Sequence, residues 1–183
     1  MLVIGIDPGS ASGAVAWLHS DGRAGVHDLP LIAGTLDPHA LRSLLLDTPE
    51  PAAAVYVEHV SAMPRQGVAS TFKFGRAVGA IHATVALAGL RLELVTPPVW
   101  KRWHRLGKEK ELARGLAIRF FPTLAPKMAR KKDGHRAEAL LIGAFGLHML
   151  DGDGRPLTAP ASPAQPRNRV RRRARPPQPV SEP

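Results

Sequence analysis

Three short segments carry the residues able to do chemistry. In Gly5-Ile6-Asp7-Pro8-Gly9 a carboxylate ends an apolar run and a tight turn follows, and in Val55-Tyr56-Val57-Glu58 a second carboxylate ends another apolar run. In Asp133-Gly134-His135-Arg136-Ala137-Glu138 an imidazole and a carboxylate stand three residues apart, which places them on one face of a helix start. A carboxylate held at the end of a buried strand cannot wander, which is what a metal site needs from a ligand. An unpaired charge in such a place would be expensive. Carboxylates with an imidazole are hard donors suited to Mg²⁺ or Mn²⁺, and without cations their mutual repulsion raises some of their pKa values. Two ions roughly 4 Å apart could clamp a scissile phosphate, one activating water and the other stabilising the leaving oxygen. Phosphodiester hydrolysis is the chemistry this set suits.

Each segment alone has a plainer reading. Asp-Pro-Gly is a common turn, with the aspartate as its cap. The same strand, aspartate and glycine turn also binds phosphates in sugar kinases and actin-like ATPases. Glu58 fits a structural salt bridge, and an isolated His135–Glu138 pair is a weak signal. Only the combination points to a metal.

The elements that position these groups follow from hydrophobic spacing. Residues 2 to 6 and 14 to 18 read as strands joined by a Gly/Ser-rich turn, and Asp21-Gly22 signals a hairpin into a third strand ending near residue 28. Asp37-Pro38 caps a helix carrying Leu41, Leu44 and Leu45 that stops before Pro49. Ala52 to Val57 reads as a buried strand ending at Glu58. Ser70 to Leu90 reads as an amphipathic helix through Phe74, Val78, Ile81, Val85 and Ala88, with Gly75 and Gly79 open to close approach. Leu92 to Val95 is a further strand, residues 108 to 120 a helix stopped by Pro122, and Arg136 to Leu150 a last helix rich in Ala and Leu. Strands first and interleaved helices later imply an α/β layer fold.

Composition bounds the function. The chain has 183 residues, 44% of them apolar, which suits one domain over 1–150. From Asp151 onward Gly, Pro, Arg and Ser dominate, with Arg171-Arg172-Arg173, so 151–183 is expected to be a disordered basic tail. There is no cysteine, which excludes disulfides and thiolate metal sites. The N-terminus lacks a basic n-region and breaks at Pro8, so neither a signal peptide nor a membrane span is expected, and the location is expected to be cytoplasmic. A net charge of +10 favours a polyanionic partner such as nucleic acid.

The order Asp7, Glu58, His135, Glu138 resembles the catalytic tetrad of RuvC-type Holliday-junction resolvases of the ribonuclease H-like superfamily, over roughly the first 150 residues. The stretch Ala69-Ser70-Thr71-Phe72-Lys73-Phe74-Gly75-Arg76 is similar to that family's junction-contacting loop and the helix after it, which resembles its dimer interface. The resemblance implies a ribonuclease H-like fold, a mixed five-stranded sheet flanked by helices. It also implies two Mg²⁺ ions per active site with Mn²⁺ as a substitute, a homodimer, and resolution of four-way DNA junctions by paired symmetric nicks. By the same resemblance Phe72, Lys73, Phe74 and Arg76 would meet the junction, and Phe72 or Phe74 would stack on a base. Core packing is the alternative for both phenylalanines. Around Pro97-Pro98-Val99-Trp100-Lys101-Arg102-Trp103-His104 and Gly107-Lys108-Glu109-Lys110 the family places basic residues on the DNA backbone, so Lys101, Lys108 and Lys110 are expected phosphate contacts.

This chain departs from the family at Glu138, where aspartate is commoner, so the ion would shift by about one methylene unless the helix moves. At the position of His135 the family carries aspartate or histidine, and Asp133 is an alternative ligand. Other readings are a branched-DNA or RNA nuclease of the same superfamily, a DNA-binding module without cleavage, and an actin-like phosphotransferase. The last normally needs a second phosphate loop and a second domain, for which the chain is too short.

Overall fold

The strand that ends in Asp7, β1 (Leu2–Asp7), is buried along its whole length, as the centre of a sheet covered on both faces must be. The computed structural model describes residues 1–61, 67–107 and 110–151, without the Lys110 side chain. β1 pairs antiparallel with β2 (Ala14–His19), and β2 with β3 (Ala24–Asp28). A two-stranded ribbon, β4 (Leu31–Ile32) and β5 (Thr35–Leu36), turns at Ala33 and Gly34 and leads into helix α1 (Pro38–Leu46). Asp37 caps α1 by accepting from the backbone N–H groups of His39 and Ala40.

The chain then returns through β6 (Ala52–Glu58), helix α2 (Val68–Leu87) and β7 (Leu92–Val95). β6 lies parallel to β1 and β7 parallel to β6, so the five-stranded order is β3-β2-β1-β6-β7. Three further helices follow, α3 (Pro97–Trp103), α4 (Lys110–Phe120) and α5 (Gly134–Asp151). Between the last two run 3-10 turns at Pro122–Met128 and Lys131–Asp133. The mixed five-stranded α/β architecture expected from the sequence is the one observed.

Two cores flank the sheet. Leu2, Ile4 and Ile6 of β1 pack with Leu41 and Leu45 of α1 and Ile81 and Val85 of α2. On the other face Val3 joins Ala139, Leu140 and Ile142 of α5. On this second face α5 rides directly on the backbone of β1. A Cβ on Gly5 would strike the Ala139 carbonyl oxygen and lie 2.8 Å from Gly143 Cα, so only glycine permits this approach.

Differences from the sequence reading are local. α2 ends at Leu87, three residues early, because Gly89 takes φ +71 and its N–H turns back to the Ala86 carbonyl. α3 was not anticipated: Thr96 precedes two prolines whose fixed φ suits a first helical turn. The β4–β5 ribbon was also missed, being two residues long on each side. Of the expected tail only Asp151 lies within the described residues, where it closes α5; Lys108 and the side chain of Lys110 lie outside them.

Candidate metal centre and its basic surround

Register brings the two strand-end acids together. Gly5 pairs with Tyr56 and Ile6 with Val57 across the parallel β1–β6 ladder, so the next residues, Asp7 and Glu58, are neighbours at one carboxyl-terminal edge. Side chains alternate along each strand. Val3 and Gly5 face α5, as do Ala54 and Tyr56, the latter through an edge-on contact with Phe145 at 6.1 Å. Two residues further on, Asp7 and Glu58 face the same way. The carboxyl ends of parallel strands are where α/β sheets bind ligands.

The first turn of α5 supplies the rest. His135 Nδ1 donates to Asp7 Oδ2 at 2.7 Å, which leaves Nε2 to accept from the Ser12 hydroxyl at 3.0 Å. Ser12 reaches the imidazole because the loop after β1 folds back on itself. A Cβ on Gly9 would overlap the Ser12 carbonyl oxygen. Ligand atoms of Asp7, His135 and Glu138 all lie within 4.8 Å of one another. Glu58 stands beside this trio.

The electrostatics are those of acids crowded without enough counter-charge. Burial, and then the charge of Asp7, pushes the Glu58 carboxyl up to about 7; Glu138 adds to this, while the Trp100 hydrogen bond and Lys101 oppose it. Trp100, itself fully buried, donates its indole N–H to Glu58 Oε1 at 2.9 Å. Lys101 Nζ sits 3.2 Å from Glu138 Oε1 and 5.0 Å from the Trp100 ring centroid. Its approach to Glu138 is an ion pair without hydrogen-bond geometry, so that buried oxygen has no hydrogen bond among the described residues. A buried carboxylate oxygen left open, next to a second acid that resists ionising, fits a hard divalent cation.

Asp133 is not part of this cluster. Its Oδ2 accepts from the Arg130 backbone N–H at 2.9 Å and its Oδ1 from the Arg130 guanidinium at 2.9 Å. These bonds hold its carboxyl down to about 2. The carboxylate serves Arg130, which removes the reason to count it as a ligand. Neighbouring Arg136 grips Asp28 of β3 through Nε at 2.6 Å and so ties α5 to the sheet.

The candidate DNA contacts fall into two places. At the start of α2, Phe72 is 65% exposed and Arg76 lies over its ring at 5.8 Å, whereas Phe74 is half-buried. Lys73 and Arg76 line a cavity of about 270 Å³ with Ser10, Thr35 and Leu36. Ser10 belongs to the loop that follows Asp7, so one wall of this cavity comes from the loop that leaves the acidic cluster. Lys101, expected on the DNA backbone, instead points into the cluster. Sequence reasoning missed the parts played by Ser12, Trp100 and Arg130. Two tryptophans interleaved with Lys101 and Arg102 were the available signal for Trp100, but nothing in the sequence pairs Ser12 with His135.

No protein-family model matches the chain, and no curated protein does. Solved structures do. Thermus thermophilus RuvC is 22% identical with a TM-score of 0.60, covering 81% of this chain and 96% of that one. The same T. thermophilus protein in complex with a Holliday junction substrate superposes with a TM-score of 0.56 over the same shares. The fowlpox virus Holliday junction resolvase is 12% identical with a TM-score of 0.51, covering 82% of this chain and 99% of that one. The fold is ribonuclease H-like, as the sequence led us to expect.

Proposed function

We propose that this chain is a divalent-metal-dependent endodeoxyribonuclease that resolves four-way DNA junctions by paired symmetric phosphodiester hydrolysis. The observation that carries the reading is the convergence of Asp7, His135 and Glu138 within 4.8 Å, with Glu58 beside them, on a fold similar to that of a resolvase solved with its junction.

Asp7, Glu58, His135 and Glu138 would hold the cations, two Mg²⁺ by resemblance, with Mn²⁺ as a substitute. Bound there, they would supply the charge that activates water and stabilises the leaving oxygen. The chain's own groups set the stage. Trp100 fixes one oxygen of Glu58, and Asp7 orients the imidazole of His135 at Nδ1, while Ser12 occupies the Nε2 lone pair that a cation would take in its place. Lys101 brings a positive charge to Glu138, from which a short movement would carry it to a phosphate. Lys73, Arg76 and the exposed Phe72 flank the centre on the α2 side, where phosphates and an unstacked base would lie.

Two opposed nicks require two centres, so the working unit is a homodimer. The outer face of α2 suits that role. Val68 and Leu87 are exposed large apolar residues, while Gly75, Gly79, Ala83 and Ala86 make the rest of that face small. No helix among the described residues is long and apolar enough to cross a membrane.

The test is cleavage of a labelled synthetic four-way junction in Mg²⁺, beside linear duplex, a flap and an RNA hybrid. Paired symmetric nicks in the junction alone, absent from Asp7→Asn, are expected. Preference for the flap or hybrid would move the chain elsewhere in its superfamily. Tight junction binding without cleavage in Mg²⁺ or Mn²⁺ would leave a DNA-binding module.

A further inference from the structure

The turn at 130–133, which joins the 3-10 segment to α5, is held at both ends. Upstream, Arg114 donates to the carbonyl oxygens of Met128 and Ala129 at 3.1 and 3.2 Å. Downstream, the Asp133 carboxylate accepts from the backbone and guanidinium of Arg130, and the Asp133 N–H returns to the Arg130 carbonyl at 2.9 Å. The two residues between these clamps, Lys131 and Lys132, are exposed.

The acids around this turn are already engaged. Glu111 pairs with Arg114, Asp28 with Arg136, Asp133 with Arg130, and Glu138 with Lys101. Among the described residues neither Lys131 nor Lys132 makes an ion pair. Both line a cavity of about 140 Å³ with His135 and Glu138. Lys132 also lines a second cavity, of about 280 Å³, with Ser12, Arg130 and His135. A rigid turn that presents two unmatched ammonium groups beside His135 is arranged for anions that run past the metal centre.

We infer that Lys131 and Lys132 form a phosphate-binding subsite for the DNA strand next to the cleaved bond, with Asp133 as the positioning residue that fixes their turn. This rests on the nuclease reading above. It adds a contact surface on the α5 side of the centre, opposite the α2 residues that the sequence singled out.

The experiment measures equilibrium binding of the full chain to a labelled four-way junction and to linear duplex, in EDTA so that nothing is cut, across a KCl series. Each phosphate neutralised contributes about 0.9 to the slope of log K against log salt. Lys131→Ala/Lys132→Ala should flatten that slope by about 2 and weaken low-salt binding about tenfold or more, while Lys131→Arg/Lys132→Arg should keep both. A slope and affinity equal to wild type within twofold in the alanine pair would overturn the subsite. If wild type shows no preference for the junction over duplex, the resolvase reading fails instead, and the slope difference on duplex still decides the subsite. A wild-type chain that binds neither DNA overturns both.

Discussion

Glu58 shows how a single residue reports the chemistry around it. Its carboxyl is raised to about 7 from an ordinary value of 4.5, so between those pH values the folded chain holds a proton that the unfolded chain has released. Metal-free stability should therefore fall as pH rises through that window, by on the order of 3 kcal/mol. His104 pulls the opposite way. Burial lowers its imidazole to about 4, and its Nε2 donates to the Leu141 carbonyl at 2.8 Å, so its contribution is lost as pH falls below the ordinary histidine value. Thermal unfolding in EDTA from pH 5 to 8, wild type against Glu58→Gln, isolates Glu58 because His104 is common to both. The variant should lose the part of the slope in which wild type weakens toward neutral pH, and Mg²⁺ should raise the wild-type midpoint at pH 7.5 far more than the variant's. Parallel pH curves for the two proteins would contradict the account of Glu58.

The element that decides the site is α5, and its seat on β1 is set by glycines. Gly5 meets the backbone of Ala139 and Gly143, which cannot step aside without moving the helix that carries His135 and Glu138. Gly143 meets chiefly Leu18 Cδ1, the far end of a side chain rather than backbone. In urea unfolding Gly5→Ala should cost about 3 kcal/mol or more, while Gly143→Ala should cost about 1 kcal/mol, part of the overpacking being offset by the better helix propensity of alanine. Gly5→Ala should also weaken Mg²⁺ binding by displacing the first turn of α5 from Asp7. Equal costs at the two positions would mean that the helix is not held at Gly5.

At the scale of the whole molecule the open question is pairing. The exposed face of α2 carries Val68 and Leu87 around a stripe of small residues, and a Cβ at Gly75 or Gly79 would meet nothing within 4 Å. A second copy laid along this face would bury it. Gly79→Glu puts a charge in the middle of the stripe and replaces glycine with a better helix former, so the monomer should fold at least as well. Sedimentation should give a dimer for wild type and a monomer for Gly79→Glu with an unchanged far-UV spectrum. A variant that remains dimeric would place the interface elsewhere.

The types and order of the candidate ligands, the alternation that ends two buried strands in acids, and the helical spacing of His135 and Glu138 are local properties, and the sequence by itself determined them. The α/β layering was legible for the same reason, because strand and helix periods are written in neighbouring residues. What only the tertiary structure decided depends on partners far apart in the chain. The β1–β6 register makes Asp7 and Glu58 neighbours on the α5 side. The fold brings Ser12 to His135 and Trp100 to Glu58, and turns Lys101 inward to Glu138. It also gave the Asp133 carboxylate, an alternative ligand in the sequence, to Arg130, because the three-residue reach back closes a turn that the same carboxylate then caps. Register and docking arise from packing across the whole core, and no local pattern encodes them.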